Sequence, residues 1–128
     1  MKIRLAMALL LAPALPATAG GAMAYDAVGL DGGVFEVLET RGPSAADFWC
    51  GAGQYAIREL GKPVSQRIYV WRGRGDSLSE PGRRAVQFSF AAPPGGSVQS
   101  LSNSVDLVGN NLSTAQAQQH CFDRTMTD

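Results

Sequence analysis

Two stretches of the chain alternate apolar and polar residues with period two: Arg67-Ile-Tyr-Val-Trp-Arg72 and Arg84-Ala-Val-Gln-Phe-Ser-Phe90. Alternation in β-branched and aromatic residues predicts strands of a half-buried sheet. Ile68 and Val70 point one way, Tyr69 and Trp71 the other. Val86, Phe88 and Phe90 share a core side opposite Ala85, Gln87 and Ser89, a wet side. A Gly/Ser/Pro-rich linker joins the two strands. Val34-Phe-Glu-Val-Leu-Glu39 predicts another strand, ended by Arg41-Gly-Pro43 and preceded by a Gly/Asp-rich extended lead-in from Tyr25 to Gly33. Beyond the Ala91-Ala-Pro-Pro-Gly-Gly96 loop, Leu101, Asn103, Val105 and Leu107 alternate with Ser102, Ser104 and Asp106. This predicts a fourth strand, closed by Gly109-Asn-Asn111.

From Ser44 the period changes. Ala46, Trp49, Cys50, Gly53, Ile57 and Leu60 fall on one stripe of an α-helix, while Asp47, Gln54, Arg58 and Glu59 take other sides. Ser44 and Asp47 resemble a capping box, and Leu60-Gly61-Lys-Pro63 is a stop signal. Gly51 and Gly53 interrupt this helix at about 1 kcal/mol each relative to alanine. Close packing on the sheet beside a cysteine accounts for two small residues on a buried stripe more simply than a gap left for a ligand. A second helix is predicted from Leu112, with Ser113 and Gln116 as its S-x-x-Q capping box and Thr114, Ala117 and Cys121 on one face.

The expected fold is therefore α+β in the order β-α-β-β-β-α: a four-stranded, mainly antiparallel sheet with both helices on one face. Residues 1–24 fall outside it. Lys2 and Arg4 precede an apolar run from Leu5 to Leu15, and the small-residue sites Ala17-Thr-Ala19 and Ala22-Met-Ala24 follow, as in a secretory signal peptide cleaved near Ala19 or Ala24. The run is shorter than the roughly 20 residues that span a bilayer, so no integral membrane segment is expected in residues 25–128, which form a single small domain.

Export changes the reading of the two cysteines, Cys50 and Cys121. In an oxidising compartment they form a disulfide joining helix to helix, worth up to roughly 4 kcal/mol on the chain-entropy model. The alternative, a thiol nucleophile or metal ligand, lacks a CxxC motif and has one histidine to draw on. Without the leader, nine basic residues face eleven acidic ones, which gives no reason to expect nucleic acid as a partner.

Candidate chemistry is sparse. His120 lies beside Cys121 and near Asp123, but its neighbour is expected to be oxidised, and one crowded helix end makes a poor metal site. Gly73-Arg-Gly75 lacks the third glycine and following helix of a dinucleotide loop, so no cofactor is expected. Arg74-Gly75-Asp76 spells an adhesion tripeptide with nothing around it to support that use. Asn111-Leu-Ser113 matches a glycosylation acceptor, although Ser113 is better explained as a cap. Arg67, Arg72, Arg74, Arg83 and Arg84 crowd the hairpin. Arg72, Arg74, Arg83 and Arg84 are candidates for binding an anion or a partner, with Tyr69 and Trp71 as a stacking surface; edge protection is the competing explanation.

The pieces Phe48-Trp-Cys-Gly-Ala-Gly53, Arg67-Ile-Tyr69, Arg72-Gly-Arg-Gly75, Gly82-Arg-Arg-Ala-Val-Gln-Phe88 and Gly109-Asn-Asn-Leu-Ser113 resemble those of small exported proteins of unknown function from alphaproteobacteria. The resemblance covers most of the chain after the leader. It implies a periplasmic address and transfers no activity or site residue. The leading expectation is a non-enzymatic periplasmic or secreted binding or accessory domain, taking an unidentified periplasmic protein or a small anionic ligand. An inhibitor of a cell-wall hydrolase, inserting the loop from Gly73 to Arg83 into a cleft, is the second. A small hydrolase using Asp47, Glu59 or His120 is the third.

Overall fold

The computed structural model describes residues 25–40 and 44–126; the leader expected over 1–24 and the Arg41-Gly-Pro43 break lie outside the described residues. Strand β1 (Ala27–Gly29) leads through one 3-10 turn (Asp31–Gly33) into β2 (Val34–Leu38). Helix α1 (Ala45–Gln54) continues as a π-helical turn (Tyr55–Glu59). The long hairpin of β3 (Arg67–Asp76) and β4 (Arg84–Ser89) follows, then β5 (Asn111–Ser113) and α2 (Thr114–Met126). All strand pairs are antiparallel and the sheet order is β1-β2-β4-β3-β5.

The α+β class and the antiparallel sheet agree with the sequence reading; the strand count does not. The sheet has five strands. The lead-in expected to be merely extended pairs as β1, with Val28 opposite Glu36. The segment expected as a fourth strand, Leu101 to Leu107, is irregular. Its serines explain why: the Ser100, Ser102 and Ser104 hydroxyls accept hydrogen bonds from the backbone N–H groups of Ser102, Ser104 and Asp106 at 3.0, 3.1 and 3.2 Å. Side chains that occupy the backbone two residues on compete with a strand ladder. Asn110 reinforces the folded-back path by donating to the Ser102 and Ser104 carbonyls. The strand forms instead at Asn111–Ser113, pairing with Arg67–Tyr69.

The arrangement of the helices also departs from expectation. The two do not both lie on one face of a four-stranded sheet: α1 lies against β2, whereas α2 issues directly from the edge strand β5 and packs chiefly on α1. Both predicted capping boxes are present, Ser44 with Asp47 and Ser113 with Gln116.

Phe35 and Val37 of β2, Val86 and Phe88 of β4, and Ile68 and Val70 of β3 meet Phe48, Trp49, Ala52 and Ala56 from the helical segment, with Ala117 of α2 and Val105 of the loop completing the cluster. Burying a large apolar side chain contributes roughly 1.5–3 kcal/mol, so this cluster is the main source of stability. Trp49 is fully buried, its ring centroid 5.1 Å from that of Phe88 and its Nε1–H donating to the Asn103 carbonyl at 2.7 Å. The predicted apolar stripe holds through Gly53 and then fails, leaving Leu60 45% exposed. The π-helical turn inserts an extra residue and rotates the stripe out of phase.

The glycines of α1 are packing residues. A Cβ on Gly51 would stand 2.6 Å from Val37 Cγ1, and one on Gly53 would stand 2.6 Å from the Gln118 backbone nitrogen. Only residues without a side chain let α1 approach β2 and α2 this closely. Between the helices Cys50 and Cys121 are joined as a disulfide across 71 positions of sequence.

Candidate functional site

The face of the sheet away from the helices carries Val34, Glu36 and Leu38 of β2 and Ala85, Gln87 and Ser89 of β4, paired across the ladder. Period-two patterning marks the β4 positions as wet, yet Gln87 and Ser89 are only 5% and 4% exposed, and Glu36 is fully buried. The loop from Ser77 to Arg83 folds back over this face and explains the burial of Glu36. Glu36 Oε1 accepts from Ser77 Oγ at 2.6 Å, from the Ser79 N–H at 2.9 Å and from the Ser79 hydroxyl, while Oε2 accepts from the Leu78 N–H at 3.1 Å. Burial alone would raise the Glu36 pKa. The donors from Ser77, Ser79 and Leu78 outweigh it and hold the carboxyl below the ordinary value. The carboxylate thus clamps the loop on the sheet.

Each arginine singled out in the sequence has an internal partner. Arg72 donates to the Asp76 carbonyl and its guanidinium lies against Gly75, where a Cβ would be 3.4 Å away. Arg74 pairs with Asp106 and sits over the Phe48 ring, 5.6 Å from its centroid. Arg83 bonds Asp26 at 2.8 Å, Glu80 at 2.6 Å and the Glu39 carbonyl at 2.9 Å, and the bonds to Asp26 and Glu80 raise its pKa further. Arg84 is the loosest, 3.9 Å from Asp76 and more than half exposed. Arg67, outside the hairpin tip, is held by Asn111 and Gln116. Arg72 and Arg84 both turn to Asp76 within the hairpin, whereas Arg83 ties it to Asp26 and Glu39, which flank β1 and β2, and Arg74 ties it to Asp106.

Tyr69 and Trp71 do share the outer face. A β-bulge between Val70 and Arg72 places Trp71 there beside Gln87. Trp71, Gln87 and Val34, with Leu30 and Asp31 of the lead-in turn and Leu78 of the clamped loop, line a groove of about 770 Å3. Leu78 is 66% exposed at its rim. Gln87 Nε2 and, on the paired strand, Arg72 Nε are both buried without a hydrogen-bond partner. A smaller depression of about 320 Å3 at the other side of β1 is lined by Phe35, Tyr55, Leu60, Lys62 and Phe90, with the Lys62 ammonium 4.8 Å from the Phe90 ring centroid.

Trp71 was visible in the sequence as a stacking residue; Gln87, Glu36 and Leu78 were not singled out. The one available signal was Glu36 itself, an acid inside an apolar strand, with Ser77 and Ser79 as its donors across a long sequence gap.

The residues considered for hydrolysis belong to three different places in the fold. Asp47 caps the start of α1 and Glu59 ends the π-helical turn, where it accepts from Tyr25 Oη at 3.3 Å. Burial, followed by the Glu59 charge, raises the Tyr25 pKa. His120 lies on α2 beside the disulfide. Asn111 Nδ2 is occupied by Ser97 and by the Val98 and Gly109 carbonyls. Among the described residues no three His, Cys, Asp or Glu side chains gather into a metal-binding set, and no helix is long and apolar enough to cross a membrane. Compared with family models, curated proteins and solved structures, the chain matches none.

Proposed function

We propose that this chain is a non-enzymatic binding domain that works in the periplasm or outside the cell and takes its ligand on the outer face of the sheet. The observation that carries this reading is the groove between Trp71 and Leu78, which combines an aromatic wall, an exposed leucine and a largely buried glutamine. Binding sites pair apolar walls with a few placed polar groups in this way. The Cys50–Cys121 disulfide supports an oxidising compartment, as does the resemblance to exported alphaproteobacterial proteins. The hairpin arginines support anion capture less well, because an anion would have to displace Asp26, Glu80 or Asp106.

A second reading, inhibition of a cell-wall hydrolase, is favoured by the Glu36 clamp, which holds the Ser77 to Arg83 loop rigid with Leu78 projecting. A loop fixed before binding loses little entropy when it enters a cleft. One experiment addresses both. Immobilised protein and its Trp71→Ala/Leu78→Ser variant are challenged with periplasmic extract, and the retained proteins and glycans are identified. Retention by the wild type alone supports the groove; a retained muramidase or amidase points to inhibition. Equal retention by both forms moves the binding surface elsewhere.

A further inference from the structure

We propose that β1 is a docking edge on which an extended segment of another protein adds as a further strand. This rests on the binding-domain reading and names the ligand as polypeptide, with alternate side chains reaching the groove on the outer face. Among the described residues β1 ends the sheet order and pairs only with β2. The Leu30 N–H donates to the Val34 carbonyl at 2.7 Å and the Leu38 N–H to the Asp26 carbonyl at 2.8 Å. Bonded and non-bonded pairs alternate along an antiparallel ladder, so Ala27 and Gly29 turn their N–H and C=O groups away from β2, toward the open edge. Gly29 is exposed. Apart from being short, β1 carries no charge, proline or bulge, the devices that keep an open edge from pairing. The opposite edge differs, because Val98 bridges Asn110 at the start of β5.

Side chains of an added strand alternate between the two faces of the sheet, and each face holds a recess for them. Gly29, Leu30 and Val34 line both the groove of about 770 Å3 on the outer face and the depression of about 320 Å3 on the helix face, so the two flank the same end of β1. Gly29 pairs with Phe35 and therefore faces the helices, where its missing side chain opens the depression walled by Phe35, Tyr55 and Phe90. A large or aromatic residue placed opposite an edge glycine covers it and fills such a gap. Lys62 lines the same depression, its ammonium 4.8 Å from the Phe90 ring centroid, and makes no ion pair among the described residues. An acidic side chain on that face, two positions from the aromatic one, is favoured. The residues between and beside them face Leu30, Trp71 and Leu78, which suit aliphatic side chains.

The test titrates the oxidised protein with the blocked peptide Ac-TLFLET-NH2, which carries this pattern, and follows backbone amide shifts. Saturable binding that shifts the amides of Ala27 and Gly29 is expected. N-methylation of one alternate set of peptide amides, those facing β1, should weaken binding about tenfold or more, while methylation of the other set, facing solvent, should be tolerated. Replacing the peptide's phenylalanine with alanine, or its glutamate with lysine, should also weaken it. Ala27→Pro removes an N–H that the β1–β2 ladder does not use, so it should weaken binding about tenfold with a melting temperature near that of the wild type. No saturable binding, equal tolerance of both methylated peptides, or wild-type affinity in a folded Ala27→Pro variant overturns the assignment; if that variant does not fold, the methylated peptides still decide. A dimer of the free protein that Ala27→Pro dissociates would seat a second copy on the edge and overturn the choice of partner. If the peptide fails while retention of extract still depends on Trp71 and Leu78, only strand addition fails; if retention does not depend on them, the binding-domain reading fails with it.

Discussion

Replacing Glu36 with glutamine leaves the shape of the side chain almost unchanged and removes its charge. In the wild type Oε1 collects the Ser77 and Ser79 donors and Oε2 accepts the Leu78 N–H at 3.1 Å. Glutamine can keep its carbonyl oxygen toward the serines, but its NH2 then faces the Leu78 N–H, donor against donor. One charge-assisted bond, worth about 1.5–3 kcal/mol, is lost, and the others fall to the weaker neutral class. A net loss of about 2–4 kcal/mol at pH 7 follows, a sizeable share of the roughly 5–15 kcal/mol typical of a domain. The pH dependence supplies a second check. The folded-state pKa of Glu36 lies below the ordinary 4.5, so its stabilisation is complete above that value and is lost as pH falls through the depressed one. Urea unfolding of both proteins from pH 7 down to pH 3 should show a gap that narrows below about pH 4.5, and amide exchange at Leu78 and Ser79 should quicken in the variant. A gap under about 0.5 kcal/mol at pH 7, or one that does not change with pH, would refute the clamp.

Gly53→Ala sets a gain of about 1 kcal/mol in helix propensity against a clash with the α2 backbone at Gln118, 2.6 Å from the added carbon. Overpacking of this kind typically destabilises by about 1–3 kcal/mol, so urea melts should show a net loss, larger than for Gly51→Ala, whose contact is the movable Val37 side chain. The cysteines should resist alkylation in the folded protein, and reduction should lower stability by up to about 4 kcal/mol; two freely alkylated thiols in the folded state would contradict the disulfide.

The elements that were legible in the sequence are those whose signal is local. The alternation in Arg67–Arg72 and Arg84–Phe90, the two capping boxes and the Gly51/Gly53 packing sites each follow from neighbouring residues, and the structure carries all of them. The failures arise where a distant segment decides the outcome. Gln87 reads as solvent-facing because β4 alternates, but the bulge at Trp71 and the returning loop bury it. β1 has too few residues for periodicity and exists because β2 offers an open edge. The arginines looked like one cluster because they are close in sequence, yet Asp26, Glu80 and Asp106, two of them far along the chain, draw them apart. The groove is invisible in any window because Leu30, Trp71, Leu78 and Gln87 come from four separate places.

The serine staircase at Ser100, Ser102 and Ser104 also bears on how the molecule keeps to itself. Leu101 is fully exposed and its neighbourhood has the alternating composition from which intermolecular sheets grow. Pairing with another chain needs free amide hydrogens, and here those of Ser102, Ser104 and Asp106 are already taken by the hydroxyls two residues back. The segment therefore carries a strand's pattern without a strand's adhesive edge, and lies in the connection leading to the edge strand β5 as a spacer that a second copy cannot extend.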